Sequence, residues 1–588
     1  MGKDKKNKGL NLGLIKRILS YARPYNKLFF GSLLVTLFLS GLSIVRPLLI
    51  SRALNDYVVN QKSLPGLNTM CLVILVFLLF EAFCQVVNLR ITNLLGQNIV
   101  RDLRNQVYKH ILHLKNTYFD NSPVGMLVTR AVSDIQSLSD VFSQGFIVIA
   151  GDLLMLTTFI TVMFIKNWSL ALLALSTIPL LFVATALFKR GVKKTFTLVR
   201  NAVALLNTFT QEHVTGMRIV QLFNREEQEF EKFKAINAQH RIANIKSIFY
   251  YSIFFPVVEI LSSFSIALII WFSGVKGNSY HINLGDITFF IMMVNMMFRP
   301  IRMLADRLNT LQMGIISAER VFKVLDTDEK IPDTGTLKFT GVKKEIEFKN
   351  IWFAYRDEHY VLKDISFKIE AGQTVALIGA TGAGKSTIIN LLSRFYEYNK
   401  GGIFIDGTDI KKFELETIRK NTGVVLQDVY LFNDSILNNI TLSNPEIKFE
   451  QVVEATKKID LYEYILSLPG GFDYKVTERG QSLSAGQRQL IAFIRAFVYQ
   501  PNIFILDEAT ATIDTKTEIL IQRAIEKISK GRTSIIIAHR LSTIRHVDKI
   551  FVFEKGQIIE EGSIKELLTT DSKFKKLYEL QNKGELIN

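Results

Sequence analysis

Cysteine is nearly absent from this sequence: the 588 residues contain only two, Cys71 and Cys84. They lie thirteen positions apart in one apolar stretch, and on a helix this separation corresponds to about 20 Å. A disulfide between them is excluded, since bridged cysteines have Cα atoms within about 7 Å of each other. We expect both to be small buried hydrophobic residues, which give no information about the redox compartment.

Recognisable processing signals are also lacking. The first apolar run is long and is followed by others, unlike a cleavable signal peptide. Position 6 is Lys6, whereas N-myristoylation requires Ser or Thr there. The net charge of +17 could suggest a nucleic-acid binder. However, the basic residues lie beside apolar stretches, which favours attraction to anionic lipid and control of topology. We therefore expect no nucleic-acid partner.

Long hydrophobic runs are abundant in the first half of the chain. The sequence is 48% hydrophobic with a mean hydropathy of +0.21, which is high for a soluble protein and low for one embedded throughout. A membrane half joined to a soluble half would give this average. Stretches long enough to cross a bilayer occur near residues 28–50, 68–87, 142–165, 169–188, 248–271 and 287–303.

Lysine and arginine set the predicted orientation of these spans. They are concentrated before residue 28 and in the two long segments 88–141 and 189–247, whereas the opposite side has few, among them Lys62, Lys166 and Lys276. Both termini are therefore predicted to be cytoplasmic. The two long segments have a helical pattern, so we expect helices that leave the membrane, turn and return.

Glu259 is the most unusual residue of the spans, because a charge near the bilayer centre costs a few kcal/mol. It either faces a partner helix or water and stabilises the bundle, or lines a translocation path and contacts a cationic or polar substrate. Arg46 and Glu81 also lie in or near spans. The sixth span is rich in methionine, which suits both packing and contact with varied apolar ligands; packing is favoured. These methionines are Met292, Met293, Met296, Met297 and Met303.

A phosphate-binding loop follows the predicted membrane half. Residues 374–378 form a buried-strand pattern, and a helical pattern begins near Thr387. Between them lie Gly379, Ala380, Thr381, Gly382, Ala383, Gly384, Lys385 and Ser386. This is the strand–loop–helix context that a P-loop requires. Backbone N–H groups would surround the phosphates of ATP, Lys385 would reach the β- and γ-phosphates, and the Ser386 hydroxyl would bind Mg²⁺.

A second buried-strand pattern, residues 503–506, runs into Asp507 and Glu508. Asp507 is placed to support Mg²⁺ directly or through water. Glu508 would point differently and is the candidate general base. Beside a P-loop, this arrangement favours ATP hydrolysis over an ordinary acidic turn.

Together these motifs resemble those of the ATP-binding cassette transporters, over nearly the whole chain. The most diagnostic segment is 483–487, Leu-Ser-Ala-Gly-Gln, which is similar to the family's LSGGQ signature with Ala485 in place of the middle glycine. The resemblance gives Ser484, Gly486 and Gln487 a role at a nucleotide. It further implies that Tyr355 stacks on adenine, that Gln427 lies near Mg²⁺, that Asp514 belongs to the D-loop and that His539 is the switch histidine. Glu478 matches an exporter-specific loop.

The arrangement on one chain is similar to that of type IV exporter half-transporters. This resemblance implies a multi-domain fold: an all-α transmembrane domain of six helices (residues 1–325), a linker (326–344) and an α/β P-loop nucleotide-binding domain (345–588). Residues 118–125 and 216–227 resemble the loops that carry short coupling helices in the family. We expect an integral multi-pass protein of a prokaryotic plasma membrane, with its ATPase domain in the cytoplasm.

The same resemblance implies a dimer in which each ATP lies between the phosphate loop of one chain and Ser484 of the other. No motif is degenerate, which favours a homodimer, although the chain could also be the intact half of a heterodimer. The expected function is ATP-driven export or flipping of lipids, drugs or similar amphipathic molecules. A non-transporting membrane ATPase that regulates another protein is the rival interpretation.

Overall fold

The computed structural model describes residues 12–277, 280, 282–331, 333–356, 358–507, 514–538 and 541–585. The chain divides into two compact units. The first, here called the membrane unit, comprises Met1–Leu112 and Val124–Thr327. The second, the cassette unit, comprises His113–Pro123 and Asp328–Asn588.

The first half of the chain is helical. Its helices are α1 (Leu12–Ser20), α2 (Asn26–Leu42), α3 (Val45–Arg52), α4 (Leu64–Ile111), α5 (Asn116–Asn121), α6 (Val124–Thr129), α7 (Ile135–Asp140), α8 (Ile147–Lys166), α9 (Trp168–Leu175), α10 (Ile178–Thr215), α11 (Met217–Leu222), α12 (Glu226–Lys276) and α13 (Leu284–Leu325). Short 3₁₀ or π segments continue several of them. Of these helices, α5 belongs to the cassette unit.

Six helical stretches are long and apolar enough to cross a membrane, among the described residues. They are Arg23–Asn60, Leu64–Ile111, Val124–Lys166, Trp168–Thr215, Glu226–Lys276 and Leu284–Ile301. Each coincides with one of the six predicted spans. With 51 residues, α12 is about 75 Å long, far more than the roughly 30 Å of a hydrocarbon core. The long segments between the spans are therefore helical continuations of them.

The prediction for the two cysteines was wrong. Cys71 is exposed and Cys84 is half-buried. Both lie on α4, and only 6% of the most apolar window of this helix is buried within the chain. An apolar helix face can remain uncovered by its own chain where lipid or a second chain covers it, so hydropathy did not imply burial here.

The cassette unit contains two sheets. Its strands are β1 (Glu345–Ala354), β2 (Tyr360–Glu370), β3 (Thr374–Gly379), β4 (Lys400–Ile405), β5 (Thr408–Asp409), β6 (Thr422–Val425), β7 (Ile503–Asp507), β8 (Thr533–Ile537), β9 (Lys549–Glu554) and β10 (Gln557–Gly562). Four form an antiparallel sheet in the order β2-β1-β4-β5. The other six are ordered β10-β9-β3-β8-β7-β6, and only β10 is antiparallel to its neighbour.

The cassette unit also contains helices that pack on these sheets and on one another. They are α14 (Lys385–Leu392), α15 (Leu415–Lys420), α16 (Ile436–Thr441), α17 (Phe449–Lys458), α18 (Tyr462–Leu466), α19 (Ala485–Val498), α20 (Thr515–Ser529), α21 (Leu541–Ile544), α22 (Ile564–Thr569) and α23 (Lys573–Glu585). The strands β7 and β8 are buried along their whole length, as expected for parallel strands covered on both faces. The predicted fold class, a helical membrane region followed by an α/β domain, is confirmed.

Candidate functional site

The phosphate loop joins β3 to α14 with a sharp change of backbone direction. Gly384 caps α14 in a left-handed conformation, with φ +102°. A Cβ on Gly384 would lie 2.6 Å from Leu362 Cδ2, and one on Gly379 would lie 2.2 Å from the Phe553 carbonyl oxygen. Glycine is therefore required at both ends of the loop. The N-terminus of α14 follows the loop directly, and a helix N-terminus suits an anion because its first N–H groups lack partners within the helix.

Lys385 is held at the base of this loop. Its side chain is 95% buried, and its ammonium Nζ donates hydrogen bonds to the carbonyl oxygens of Gly379 at 2.6 Å and Ala380 at 3.0 Å. Burial lowers the pKa of this ammonium, while the nearby carboxylate of Asp507 opposes the shift. A cation fixed inside the curve of the loop supplies positive charge where phosphates would bind.

Some of the remaining residues of the loop are exposed to solvent and others are buried. Ala380, Thr381, Gly382 and Ser386 are exposed, whereas Ala383 and Thr387 are buried. The Ser386 hydroxyl is therefore accessible in the first turn of α14. Magnesium prefers oxygen ligands and retains several waters, so an accessible hydroxyl near a carboxylate suits it.

Asp507 is placed beside the loop by the sheet register. It ends β7 and pairs with Ile537 of β8, which in turn pairs with Leu377 of β3. Two strand spacings therefore separate the Cα atoms of Asp507 and Leu377, about 10 Å. Asp507 is 7% exposed. The carboxyl ends of these parallel strands meet at the sheet edge where the phosphate loop begins.

Tyr355 lies at the side of α14. Its ring is 38% exposed, and its hydroxyl donates to Thr387 Oγ1 at 3.2 Å and accepts from Asn390 Nδ2 at 3.1 Å. Phe353 packs edge-on against the ring, with centroids 4.8 Å apart. The aromatic surface that the family resemblance associates with adenine is thus fixed in orientation and accessible.

The signature segment forms the start of α19. Ser484 is its N-cap: Ser484 Oγ accepts from Gln487 N at 3.2 Å, and Ser484 N donates to Gln487 Oε1 at 2.9 Å. Ser484 is exposed and Gly486 is buried. Because its oxygen accepts the capping bond, the Ser484 hydroxyl hydrogen stays available for a further acceptor.

Two other predicted residues lie on loops. Gln427 is exposed two residues after the end of β6. Because β6 neighbours β7, Gln427 follows the strand next to the one that ends at Asp507. Asp514 is the N-cap of α20 and accepts from Thr517 N and Thr517 Oγ1, both at 3.0 Å. These hydrogen bonds lower the pKa of the Asp514 carboxyl. The predicted Glu508 and His539 lie outside the described residues.

The sequence motifs did not identify one aromatic residue near this site, Tyr396. Tyr396 packs edge-on against Tyr355, with centroids 5.0 Å apart, and donates from its hydroxyl to Asp120 Oδ2 of α5 at 2.5 Å. Arg356 Nη2 donates to Asn121 Oδ1 at 2.9 Å. Burial and the bond to Asp120 raise the pKa of the Tyr396 phenol, so it remains a donor. A second tyrosine soon after the phosphate-loop helix was the available signal.

The methionines of the sixth span divide between two environments within the membrane unit. Met293 and Met297 are fully buried in a core that also contains Phe289 and Phe290. Met296 and Met303 line a cavity instead. Packing and cavity lining thus both occur on one helix. Glu259 is exposed on α12.

Comparison with known proteins covers both halves of the chain. Residues 29–301 match the family model described as the ABC transporter transmembrane region, and residues 362–511 match that described as ABC transporter. The putative ABC transporter ATP-binding protein exp8 of Streptococcus pneumoniae is 36% identical over 98% of each chain. An ATP-dependent lipid A-core flippase of Syntrophus aciditrophicus is 34% identical over 98% of this chain and 96% of its own. The putative multidrug export ATP-binding/permease protein YgaD of Bacillus subtilis is 31% identical over 97% of this chain and all of its own.

Proposed function

The chain belongs to the ATP-binding cassette transporters, as a half-transporter of the type IV exporter kind, and from that premise we propose that two such chains export or flip amphipathic molecules. It is an integral multi-pass membrane protein that binds ATP and couples its hydrolysis to transport. Residues 1–325 would form the path, 326–344 the linker and 345–588 the ATPase domain. Relatives named as a lipid A-core flippase and a multidrug exporter support the substrate class.

The observation that carries this proposal is the geometry of the phosphate loop. The N–H groups of Gly379–Ser386 and the buried ammonium of Lys385 bind the phosphates of ATP, with Thr387 at the following position. Tyr355 stacks on the adenine ring, an interaction worth about 1–3 kcal/mol per base. The loop and Tyr355 together would therefore hold both ends of the nucleotide.

Magnesium would be held by oxygen atoms of Ser386, Asp507 and Gln427. The accessible Ser386 hydroxyl and the carboxylate at the end of β7 fit its preference for oxygen ligands. The ion, when bound, neutralises charge on the β- and γ-phosphates. Glu508 acts as general base toward the attacking water, and His539 contacts the γ-phosphate and helps to orient that water.

Each ATP site is completed by a second chain. Ser484, Gly486 and Gln487 of one chain approach the γ-phosphate held by the other, and Asp514 lies at the same interface. The capping geometry supports this, because the Ser484 hydroxyl has a hydrogen to donate. ATP closes the two cassettes only to the extent that it binds the closed state more tightly. Closure then switches the membrane helices from inward- to outward-facing, and hydrolysis resets them.

A homodimer is favoured, because two identical chains would form two competent sites. Size-exclusion chromatography with mass measurement of the chain expressed alone tests this: a stable, ATP-hydrolysing dimer excludes an obligate heterodimer. A monomer without activity would identify the chain as the intact half of a heterodimer. We place the protein in a prokaryotic plasma membrane, with both termini and the ATPase domain in the cytoplasm.

Transport by reconstituted vesicles tests the proposed function. The wild-type chain is expected to move a fluorescent lipid or dye in an ATP-dependent manner. Glu508→Gln should retain ATP binding while turnover and transport fall by orders of magnitude, because the general base is lost. Active hydrolysis without movement of any lipid or dye would favour the rival function, a membrane ATPase that regulates another protein.

A further inference from the structure

The membrane unit contains a polar cavity between its helices. Its volume is about 470 Å³, within the range of small-molecule sites, and helices α2, α3, α4, α8 and α13 contribute its walls. Charged side chains line it, and all but the last lie within the six apolar stretches: Arg46, Glu81, Asp152, Arg299 and Arg307. Ionisable residues within membrane-spanning segments are costly and mark functional paths.

One pair of these charges is satisfied. Arg307 Nη1 forms an ion pair and hydrogen bond with Asp152 Oδ2, and both side chains are largely buried. This pair connects α8 with α13 and accounts for one positive and one negative charge. It needs no ligand.

Two opposite charges in the same cavity are not satisfied. Glu81 is 8% exposed; its Oε1 accepts from Gln85 Nε2 at 3.3 Å, but its buried Oε2 has no hydrogen-bond partner among the described residues. Arg46 Nη2 contacts the sulfur of Met296 at 3.8 Å. Its Nε is also buried without a partner in the described part of the chain. A buried polar atom left without a partner costs about 1–3 kcal/mol, and more when it is charged.

A second cavity adjoins the first through shared lining residues. It measures about 310 Å³, and Arg299 and Met303 line both cavities. Four aromatic rings and Asp306 form most of the remainder: Phe188, Tyr251, Phe254 and Phe255. Phe188 stacks on Phe254 with centroids 4.1 Å apart. The two cavities together are lined by three arginines and three acids. The polar cavity by itself has one more arginine than acids, because Asp306 lines only the second cavity.

We propose that the polar cavity binds the zwitterionic headgroup of an amphiphile, while the aromatic cavity takes its apolar part. The anionic group of the headgroup would bind Arg46, and its ammonium group would bind Glu81. An anionic headgroup would leave the Glu81 carboxylate unpaired and would repel it. A cationic headgroup would leave the Arg46 guanidinium unpaired and would repel it. This inference rests on the proposed function and adds the substrate class.

Three fluorescent lipids with identical labelled tails test the headgroup directly. We would use phosphatidylethanolamine as the zwitterion, phosphatidylglycerol as the anion and a trimethylammonium lipid as the cation, in vesicles containing the full-length chain. The wild-type chain should move the zwitterion at least about tenfold faster than either other lipid, which is about 1.4 kcal/mol. Equal or faster movement of the anion or the cation overturns the inference without any variant.

Substitutions then assign the two charges. Glu81→Gln should slow the zwitterion and raise the rate for the anion, and Arg46→Gln should slow the zwitterion and raise the rate for the cation. Glu231→Gln is the matched control for Glu81, since Glu231 is exposed, pairs with Lys234 and lines neither described cavity. Arg52→Gln is the control for Arg46, because Arg52 lies on the same helix but is exposed and pairs with Asp56.

The outcomes separate this inference from the proposed function. Basal ATPase activity of each variant reports folding, since neither charge belongs to the ATP site. Transport without headgroup preference overturns only the inference that the substrate has a zwitterionic headgroup. If a dye moves but no lipid does, only this inference fails; if neither a lipid nor a dye moves while ATP is hydrolysed, the proposed function fails as well. A Glu81→Gln or Arg46→Gln variant that keeps wild-type preference but no longer dimerises would show that a second chain satisfies these charges, and would also overturn the inference.

Discussion

At the scale of single residues, the phosphate loop depends on the backbone conformation of Gly384. Gly384→Ala should weaken ATP binding and lower the melting temperature, because a left-handed φ costs an L-residue roughly 1–2 kcal/mol and the new Cβ would meet Leu362 Cδ2. Nucleotide affinity and thermal unfolding of the purified chain would measure both effects.

Gly372→Ala is the control for this substitution. Gly372 has φ +80° with open space around its missing Cβ, so the variant carries the backbone strain without the clash. It lies before β3 rather than in the loop. If both variants bind ATP equally well, close packing at Gly384 does not determine the shape of the loop.

The ring and the hydroxyl of Tyr355 have separable roles. Tyr355→Ala should weaken ATP binding roughly 5- to 160-fold, the equivalent of losing one stacked base. Tyr355→Phe should bind almost as well as wild type, since it loses only the hydrogen bonds to Thr387 and Asn390. Affinities from equilibrium titration with ATP would decide. A Phe variant as weak as the Ala variant would mean that the hydroxyl bonds, not the stacked ring, determine affinity.

At the scale of elements, α5 depends on Tyr396 for one of its contacts in the cassette unit. Tyr396→Phe should retain basal ATPase activity. It removes the hydrogen bond from the Tyr396 hydroxyl, which lies beside Tyr355, to Asp120 of α5. Less substrate should therefore be moved per ATP hydrolysed. The measurement is transport and hydrolysis on the same vesicles. Tyr398→Phe is the matched control, since Tyr398 also bonds an aspartate, Asp409, but does not contact α5 in the described contacts. If both variants move the same amount of substrate per ATP hydrolysed, the bond to α5 has no role in coupling hydrolysis to transport.

Acid should weaken the start of α20 through Asp514. Its carboxyl pKa is lowered by hydrogen bonds from Thr517, so the folded value lies below the unfolded value of about 3.9. The stabilisation is therefore present above about pH 4 and is lost as the pH falls through the folded pKa. Asp514→Asn retains a capping oxygen that does not titrate. Hydrogen exchange of Thr515–Ser529, corrected for intrinsic rates, should become less acid-sensitive in this variant; unchanged sensitivity would contradict the assignment.

At the scale of the whole molecule, features encoded by local sequence patterns could be predicted, whereas contacts between distant parts of the chain could not. The six spans and the phosphate loop were predictable, because hydropathy and a strand–glycine–helix order are local properties of the chain. The bond from Tyr396 to Asp120 joins positions 276 apart, and no local pattern indicates it. The exposure of Cys71 was missed for a related reason: hydropathy does not distinguish a helix covered by its own chain from one covered by lipid or a second chain.

Whether each ATP site is formed by one chain or by two is also a property of the whole molecule, and two inactive variants can test it. Lys385→Ala removes the buried ammonium of the loop, and Ser484→Ala removes the hydroxyl of the signature; each homodimer should be inactive. In a mixed dimer with shared sites, one site carries both defects and the other carries neither. Half of randomly assorted dimers are mixed, so co-expression should restore about a quarter of wild-type ATPase activity. No recovery would mean that each chain completes its own site.

Loss of the helix cap must be separated from loss of the shared contact in this experiment. Ser484→Ala also removes an N-cap of α19, which costs about 1 kcal/mol. Ser563→Ala removes the equivalent capping box at α22, where the sequence predicts no nucleotide. If Ser563→Ala retains activity while Ser484→Ala loses it and recovers on mixing, the Ser484 hydroxyl acts on ATP held by the second chain. If both serine variants lose activity to the same degree, helix capping alone accounts for the defect.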